Sequence, residues 1–165
     1  MARVLPPASG GDGLRVELER VELDLLVRLC EGLAGRLRAG GDDAVIARLA
    51  PAASRGDAEA DAELRRLLRG DLLGGRAERL ERLAVELRSW AGRVGPGDGV
   101  AADLAAEEAL ALLQGLNDVR LALGAQVGVE DLDRGTLAAD DPRAVTLGLM
   151  DRLGGLQQGL VEHLA

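Results

Sequence analysis

Apolar residues recur along most of this chain at spacings of three and four, a pattern that places them on one face of an α-helix. The clearest run lies in a helix predicted from about Glu19 to Arg38, with apolar side chains at positions 23, 26, 30, 33 and 37. Gly40 and Gly41 end this helix. Asp42 is the expected N-cap of a short helix that follows, from Asp43 to Ala50.

The same spacing predicts later helices at about 58–69, 72–91, 101–127 and 142–164. Gly70 separates the first two of these, and Asp71 can cap the second. The glycine-rich run 92–99 is the strongest break in the chain. Pro142 suits the first position of the last helix, because the amide hydrogen that proline lacks has no helical partner there.

These segments predict an all-α fold, a compact bundle of about five or six helices. Residues 14–18 alternate between apolar and charged, which fits either a short extended segment or a first helical turn. No two-residue period is bounded by turns, so no sheet is predicted. Residues 1–13 are rich in Pro, Gly and Ser and are expected to form a disordered tail. Residues 14–165 are expected to form a single helical domain.

Composition narrows the classes of function. Only 1% of the residues are aromatic, so the core must be built from Leu, Val and Ala. The net charge is −8 and all 20 basic residues are Arg, a balance that disfavours direct nucleic-acid binding. The N-terminus lacks the apolar region of a signal peptide, and no stretch is apolar enough to span a membrane. A cytoplasmic protein is therefore expected.

The residues that usually carry catalysis are few. The single histidine, His163, is the third residue from the end of the sequence, and the single cysteine, Cys30, is far from it, so they form no zinc-ligand cluster. The run Gly95–Gly99 lacks the Lys-Ser/Thr pair of a phosphate-binding loop. The expectation is a protein without enzymatic activity, with no catalytic site, no cofactor and no metal.

Cys30 has two interpretations. A redox sensor needs an exposed thiol with a lowered pKa. The position of Cys30 between Leu26 and Leu33 on the apolar stripe instead favours a buried structural cysteine. A single cysteine also excludes an intramolecular disulfide.

Polar residues on the predicted 101–127 helix form the candidate site. Arg120 lies on the apolar stripe, with Asn117 and Asp118 beside it, and a buried arginine needs partners. It is expected to be partly buried and paired with a carboxylate of another helix, Glu63 or Asp71, with Glu22 as the runner-up. This group, in which Arg65 is also a candidate, is either a structural polar network or a pocket for a partner. The arginines from Arg65 to Arg82 alternate with acids, which favours a solvated, ion-paired face over a DNA-binding strip.

Several short motifs follow one another in a set order: Glu22 with Leu25-Leu26, Arg48-Leu49-Ala50-Pro51, Glu63-Leu64-Arg65, Asp71-Leu72 and, most specific, the run from Leu116 to Gly124. In this order and spacing the chain resembles the actinobacterial domain-of-unknown-function 2017 family, typically encoded beside the ClpS protease adaptor. The resemblance implies an all-helical, non-enzymatic protein, for which a redox-responsive transcriptional role has been proposed. Leu64 and Leu112 stand where many relatives have aromatic residues.

The expected function is that of a non-enzymatic regulatory or protein-interaction module with a protein partner. The alternative is an oxidative-stress-linked transcriptional regulator that acts through the transcription machinery. The negative net charge is easier to reconcile with binding to a protein of that machinery than with direct binding to DNA. A homodimer is also expected, because the leucine-rich faces exceed what short helices can cover.

Overall fold

The computed structural model describes residues 2–8, 10, 13–41, 43–50, 60–133, 135, 137–138 and 140–164, with the side chains of 60–65 outside this description. Within this part, five α-helices surround the core: α1 (Arg20–Ala39), α2 (Ala44–Leu49), α3 (Ala60–Ser89), α4 (Ala106–Val127) and α5 (Pro142–Leu164). Three short strands accompany them: β1 (Arg3–Leu5), β2 (Leu14–Leu18) and β3 (Val100–Leu104).

The all-α prediction was right about the helices and wrong about the absence of a sheet. The strands form one antiparallel sheet in the order β1-β2-β3, in which Val16 pairs with Val4 on one side and with Ala102 on the other. The alternation at residues 14–18 is thus that of a strand, buried at every second position. In β3, four of five residues are buried, so the local sequence carries no alternation that could reveal a strand.

β1 lies inside the segment that was expected to be a disordered tail. It is held by the ladder with β2 and by contact with α5, where a Cβ atom placed on Gly159 would lie only 2.9 Å from Cγ2 of Val4. The glycine therefore lets the strand and the helix approach closely. A composition rich in Pro and Gly could not show this, because part of what holds β1 in place is α5, at the other end of the chain.

Two helix boundaries also differ from the sequence pattern. The expected break at Gly70 is absent and α3 continues to Ser89, whereas α4 begins only at Ala106 because the residues before it form β3. Asp43, not Asp42, caps α2 and accepts hydrogen bonds from the amides of Val45 and Ile46; Asp42 lies outside the described residues. Asp141 caps α5 through the amide of Arg143 at 2.8 Å.

The core is a single cluster of aliphatic side chains in which α1 packs on α3 and α4 packs on α2 and α5. Its one aromatic residue, Trp90, lies between the end of α3 and β3 and is 1% exposed. No helix in the described part of the chain is both long and apolar enough to cross a membrane.

Candidate functional site

The polar residues of α4 divide between two faces of the helix. Successive residues in an α-helix are rotated by about 100°. Asp118 and Arg120 are two residues apart, so they point to nearly opposite sides of the helix, about 160° from each other. Asp118 faces α3, whereas Arg120 and Asn117 line a cleft beside α2. The sequence hypothesis grouped the three residues in one network, and the structure places them in two.

Asp118 forms the polar contact between α3 and α4. Asp118 is 3% exposed, and its carboxylate is paired with Nη1 of Arg76, while Nη2 of Arg79 lies 3.8 Å from its Oδ2. Burial raises the pKa of Asp118 above its ordinary value, and the positive charges of Arg76 and Arg79 oppose that rise. The contact thus holds a buried negative charge between two helices.

Gly115 explains how the two helices come close enough for this pair. A Cβ atom on Gly115 would overlap the side chain of Leu83 on α3, so only glycine leaves room for that leucine. Gly115 lies three residues before Asp118, on the adjoining turn of α4. The small residue therefore sets the approach that brings the α3 arginines within reach of the carboxylate.

Arg120 is half-buried, as expected, but its partner is not a carboxylate. Nη1 donates to Oε1 of Gln157 on α5 at 2.5 Å, and the guanidinium packs against the backbone at Gly154. Among the described residues, no carboxylate lies within ion-pair distance of Arg120. Gln157 is itself 9% exposed. The half-buried cation is therefore hydrogen-bonded to a buried neutral amide.

The carboxylates expected to meet Arg120 lie elsewhere. Asp71 is exposed on α3, and Glu22 accepts hydrogen bonds from the amides of Ala2 and Glu19 at the start of α1. The side chains of Glu63 and Arg65 lie outside the described residues, so the structure does not place these two candidates.

The sequence hypothesis did not include Arg76, Arg79 and Gln157 in the site. A signal for Arg76 was present in the sequence, because it lies three residues after Leu73 and four before Leu80, at the spacing of the apolar pattern. Gln157 follows Leu156 on the apolar face of α5 and could have been noted as a buried polar residue. In both cases the pairing itself depends on two elements distant in sequence.

Arg120 and Asn117 line a cleft of about 510 Å³ between α2, α4, the segment after α4 and α5. Its walls are largely aliphatic, and a Cβ atom on Gly124 would lie 3.3 Å from the terminal methyl of Met150. At its rim, Nη1 of Arg48 contacts Oε1 of Glu130 at 2.9 Å. The remaining lining residues are Ala44, Ala47, Leu121, Ala125, Gly128, Val129 and Asp131.

The geometry of the site does not show which protein family the chain belongs to, but a comparison with family models does. The model described as Domain of unknown function (DUF2017) matches residues 3–164. The chain belongs to this family. No curated protein and no solved structure shows significant similarity to the chain. The DUF2017 match runs from β1 to α5 and includes both faces of α4.

In this DUF2017 chain a second groove, of about 400 Å³, runs between α1 and α5. It is lined mainly by aliphatic side chains, including Leu25, Leu149 and Leu156, with Glu22 and Arg152 as its charged residues. Among the described residues, no three His, Cys, Asp or Glu side chains are grouped as metal ligands would be. The exposed His163 lies on α5, where Nδ1 is 2.8 Å from the carbonyl oxygen of Gly159.

The first half of α3 carries an exposed apolar surface, the leucine stripe, formed by Leu67, Leu68 and Leu72. Their exposed fractions are 55%, 57% and 45%. At about 100° per residue, the centre of the stripe lies about 140° around the helix from the centre of its buried face. That buried face consists of Leu73, Ala77, Leu80, Leu83, Ala84 and Leu87. The stripe therefore cannot reach the core of its own chain.

Cys30 is buried, which confirms the structural interpretation of this residue. Its exposed fraction is 2%, and burial raises the pKa of its thiol to about 12. The negative charge of Glu31 acts in the same direction. At neutral pH the thiol is therefore protonated and out of reach of solvent.

We expect the thiol of Cys30 to react with a bulky aromatic disulfide at least about 100-fold more slowly in the folded protein than in urea at pH 7, because both thiolate fraction and access are reduced. The release of the coloured thiol measures the rate. The rate in the folded state should rise with pH, as the thiolate fraction does. Equal rates in the folded and unfolded protein would contradict the burial of Cys30.

Proposed function

We propose that this chain is a non-enzymatic protein-interaction module of the cytoplasm, and that the leucine stripe of α3 is its contact surface. The exposure of three leucines within six residues carries the proposal. Single exposed leucines are common on soluble proteins, but a contiguous group turned away from the core marks a contact site.

The composition of the leucine stripe favours a second copy of the chain as the partner. A purely aliphatic patch is complementary to itself, so it can form a two-fold symmetric contact. In an antiparallel pair of α3 helices with the two-fold axis at the stripe, Leu67, Leu68 and Leu72 of each copy lie against the stripe of the other.

Leu68→Glu should convert a dimer into a monomer of 17.2 kDa in sedimentation equilibrium at high micromolar concentration. A charge at the centre of the stripe must be desolvated in the dimer, which should weaken association at least about tenfold. Because Leu68 is more than half exposed, the melting temperature of the monomer should change little.

Val85→Glu is the matched control. Val85 lies on the same helix and is 65% exposed, but it is 18 residues, or about five turns, beyond Leu67. It should leave the dimer intact. A wild-type chain that sediments as a monomer, or a Val85→Glu variant that dissociates as Leu68→Glu does, would overturn the assignment of this surface.

The alternative is the oxidative-stress-linked transcriptional regulator acting through the transcription machinery. An oxidation switch needs a thiolate that an oxidant can reach. The burial of Cys30 and its pKa of about 12 work against this requirement. These observations favour the interaction module.

A further inference from the structure

The half-buried charge of Arg120 lies on the wall of the cleft beside α2, and no carboxylate of the described residues lies within ion-pair distance of it. Of its five N–H groups, one meets Gln157, and the buried Nε has no hydrogen-bond partner in the described part of the chain. Cations in partly dry surroundings are normally paired, because an uncompensated charge is costly there. The missing partner is therefore an anion.

We propose that this cleft binds a small aliphatic monocarboxylate, whose carboxylate pairs with Arg120 and whose hydrocarbon body packs on the aliphatic wall. The volume of about 510 Å³ is that of a small-molecule site. Guanidinium binds a planar carboxylate through two parallel hydrogen bonds, which a half-buried arginine can offer from its outer N–H groups.

The residues that line the cleft favour a ligand with a single negative charge and a short branched hydrocarbon group. Glu130 and Asp131 contribute negative charge at the rim, where Arg48 pairs with Glu130. A doubly charged anion such as phosphate would be repelled more strongly than a monoanion. The apolar part of the wall is formed by Leu121, Val129 and Met150. Burying a short branched hydrocarbon against these side chains favours binding.

Met150 offers a direct reporter of the cleft. The chain contains two methionines, Met1 and Met150, so labelling with methyl-¹³C-methionine gives two methyl signals. The signal that disappears in Met150→Leu belongs to Met150. Its methyl carbon packs at Gly124 on the cleft wall, and a ligand in the cleft should therefore shift it.

Titration with isocaproate should give a saturable shift of the Met150 signal with half-saturation at about 1 mM. Isocaproamide has the same shape without the charge and should bind at least about tenfold more weakly, because it loses the charge-assisted hydrogen bonds. Inorganic phosphate should give no saturable shift in the same range. Equal binding of the amide or of phosphate would overturn the proposal.

Two variants test the position of the site. Arg120→Gln removes the cation and should weaken isocaproate binding at least about tenfold. Ala47→Glu places a negative charge on an exposed position of the cleft wall and should do the same without disturbing a buried contact.

Arg152→Gln, on the exposed rim of the α1–α5 groove, is the matched control and should bind as the wild type does. Unchanged binding in Ala47→Glu, with its fold verified by circular dichroism, would overturn the proposal even if Arg120→Gln failed to fold. A wild-type protein that shows no saturable shift at tens of millimolar isocaproate would overturn it as well.

Discussion

Replacing Asp118 by alanine should lower the free energy of unfolding by about 3 kcal/mol. The variant loses the carboxylate that meets Arg76 across the α3–α4 contact and leaves the guanidinium without its counter-charge. Breaking a buried pair in this way costs about 3–5 kcal/mol, and we expect the lower value because the side chain of Arg76 is 22% exposed. Urea unfolding followed by the fluorescence of Trp90 measures the change.

A double variant separates the lost pair from a simple loss of packing. In Arg76→Met/Asp118→Leu both charges are gone and aliphatic groups fill their places, so most of the lost stability should return. Glu78→Ala on the exposed face of α3 is the control and should change stability by less than about 0.5 kcal/mol. A double variant less stable than Asp118→Ala would contradict the account of the contact.

The pH dependence follows from the direction of the pKa shift of Asp118. A carboxyl group whose folded-state pKa is raised binds a proton more tightly in the folded than in the unfolded protein. Its contribution to stability therefore grows as pH falls from the raised value towards the ordinary value of 3.8. The free energy of unfolding of the wild type minus that of Asp118→Asn should therefore increase on acidification from pH 7 towards 3.8. A decrease in this signed difference over the same range would refute the raised pKa.

Replacing Trp90 by alanine should lower the free energy of unfolding by about 3–5 kcal/mol. Trp90 is the largest fully buried side chain, and the shortened side chain leaves a cavity between the end of α3 and β3. Circular dichroism in urea is the suitable measurement, because the variant has no remaining tryptophan.

Trp90→Phe is the informative control for this prediction. It keeps an aromatic ring in the core but removes the indole Nε1, which donates to Oε1 of Glu86 at 3.1 Å. The loss should be smaller, at about 1–2 kcal/mol, because Glu86 is only half-buried and water can replace the donor. If the alanine variant were no less stable than the phenylalanine variant, the prediction that burial of the large Trp90 side chain stabilises the core would be wrong.

The candidate site could be predicted in part. Helical spacing placed Arg120 towards the interior, and the structure finds it half-buried. The neutral partner Gln157 and the separate pairing of Asp118 with Arg76 could not be predicted, because each contact joins helices that are about 40 residues apart in sequence. A charge on one helix shows only that a partner is required, not which neighbouring helix supplies it.

The sequence by itself determined the features that depend on neighbours within one or two turns. These include the helical segments themselves, the end of α1 at Gly40, the start of α5 at Pro142 and the burial of Cys30 on its stripe. Helical hydrogen bonds and side-chain neighbours lie three and four residues apart, so the local pattern contains the necessary information.

Only the tertiary structure decided the sheet, the continuity of α3 and the separation of Asp118 from Arg120. In the sheet, Leu18 pairs with Val100, and β1 depends on both β2 and α5. On α4, the choice of partner depends on which helix packs against each face. These contacts form between segments distant in the chain, and the free energy that selects them comes from burying several elements together, which no local pattern records.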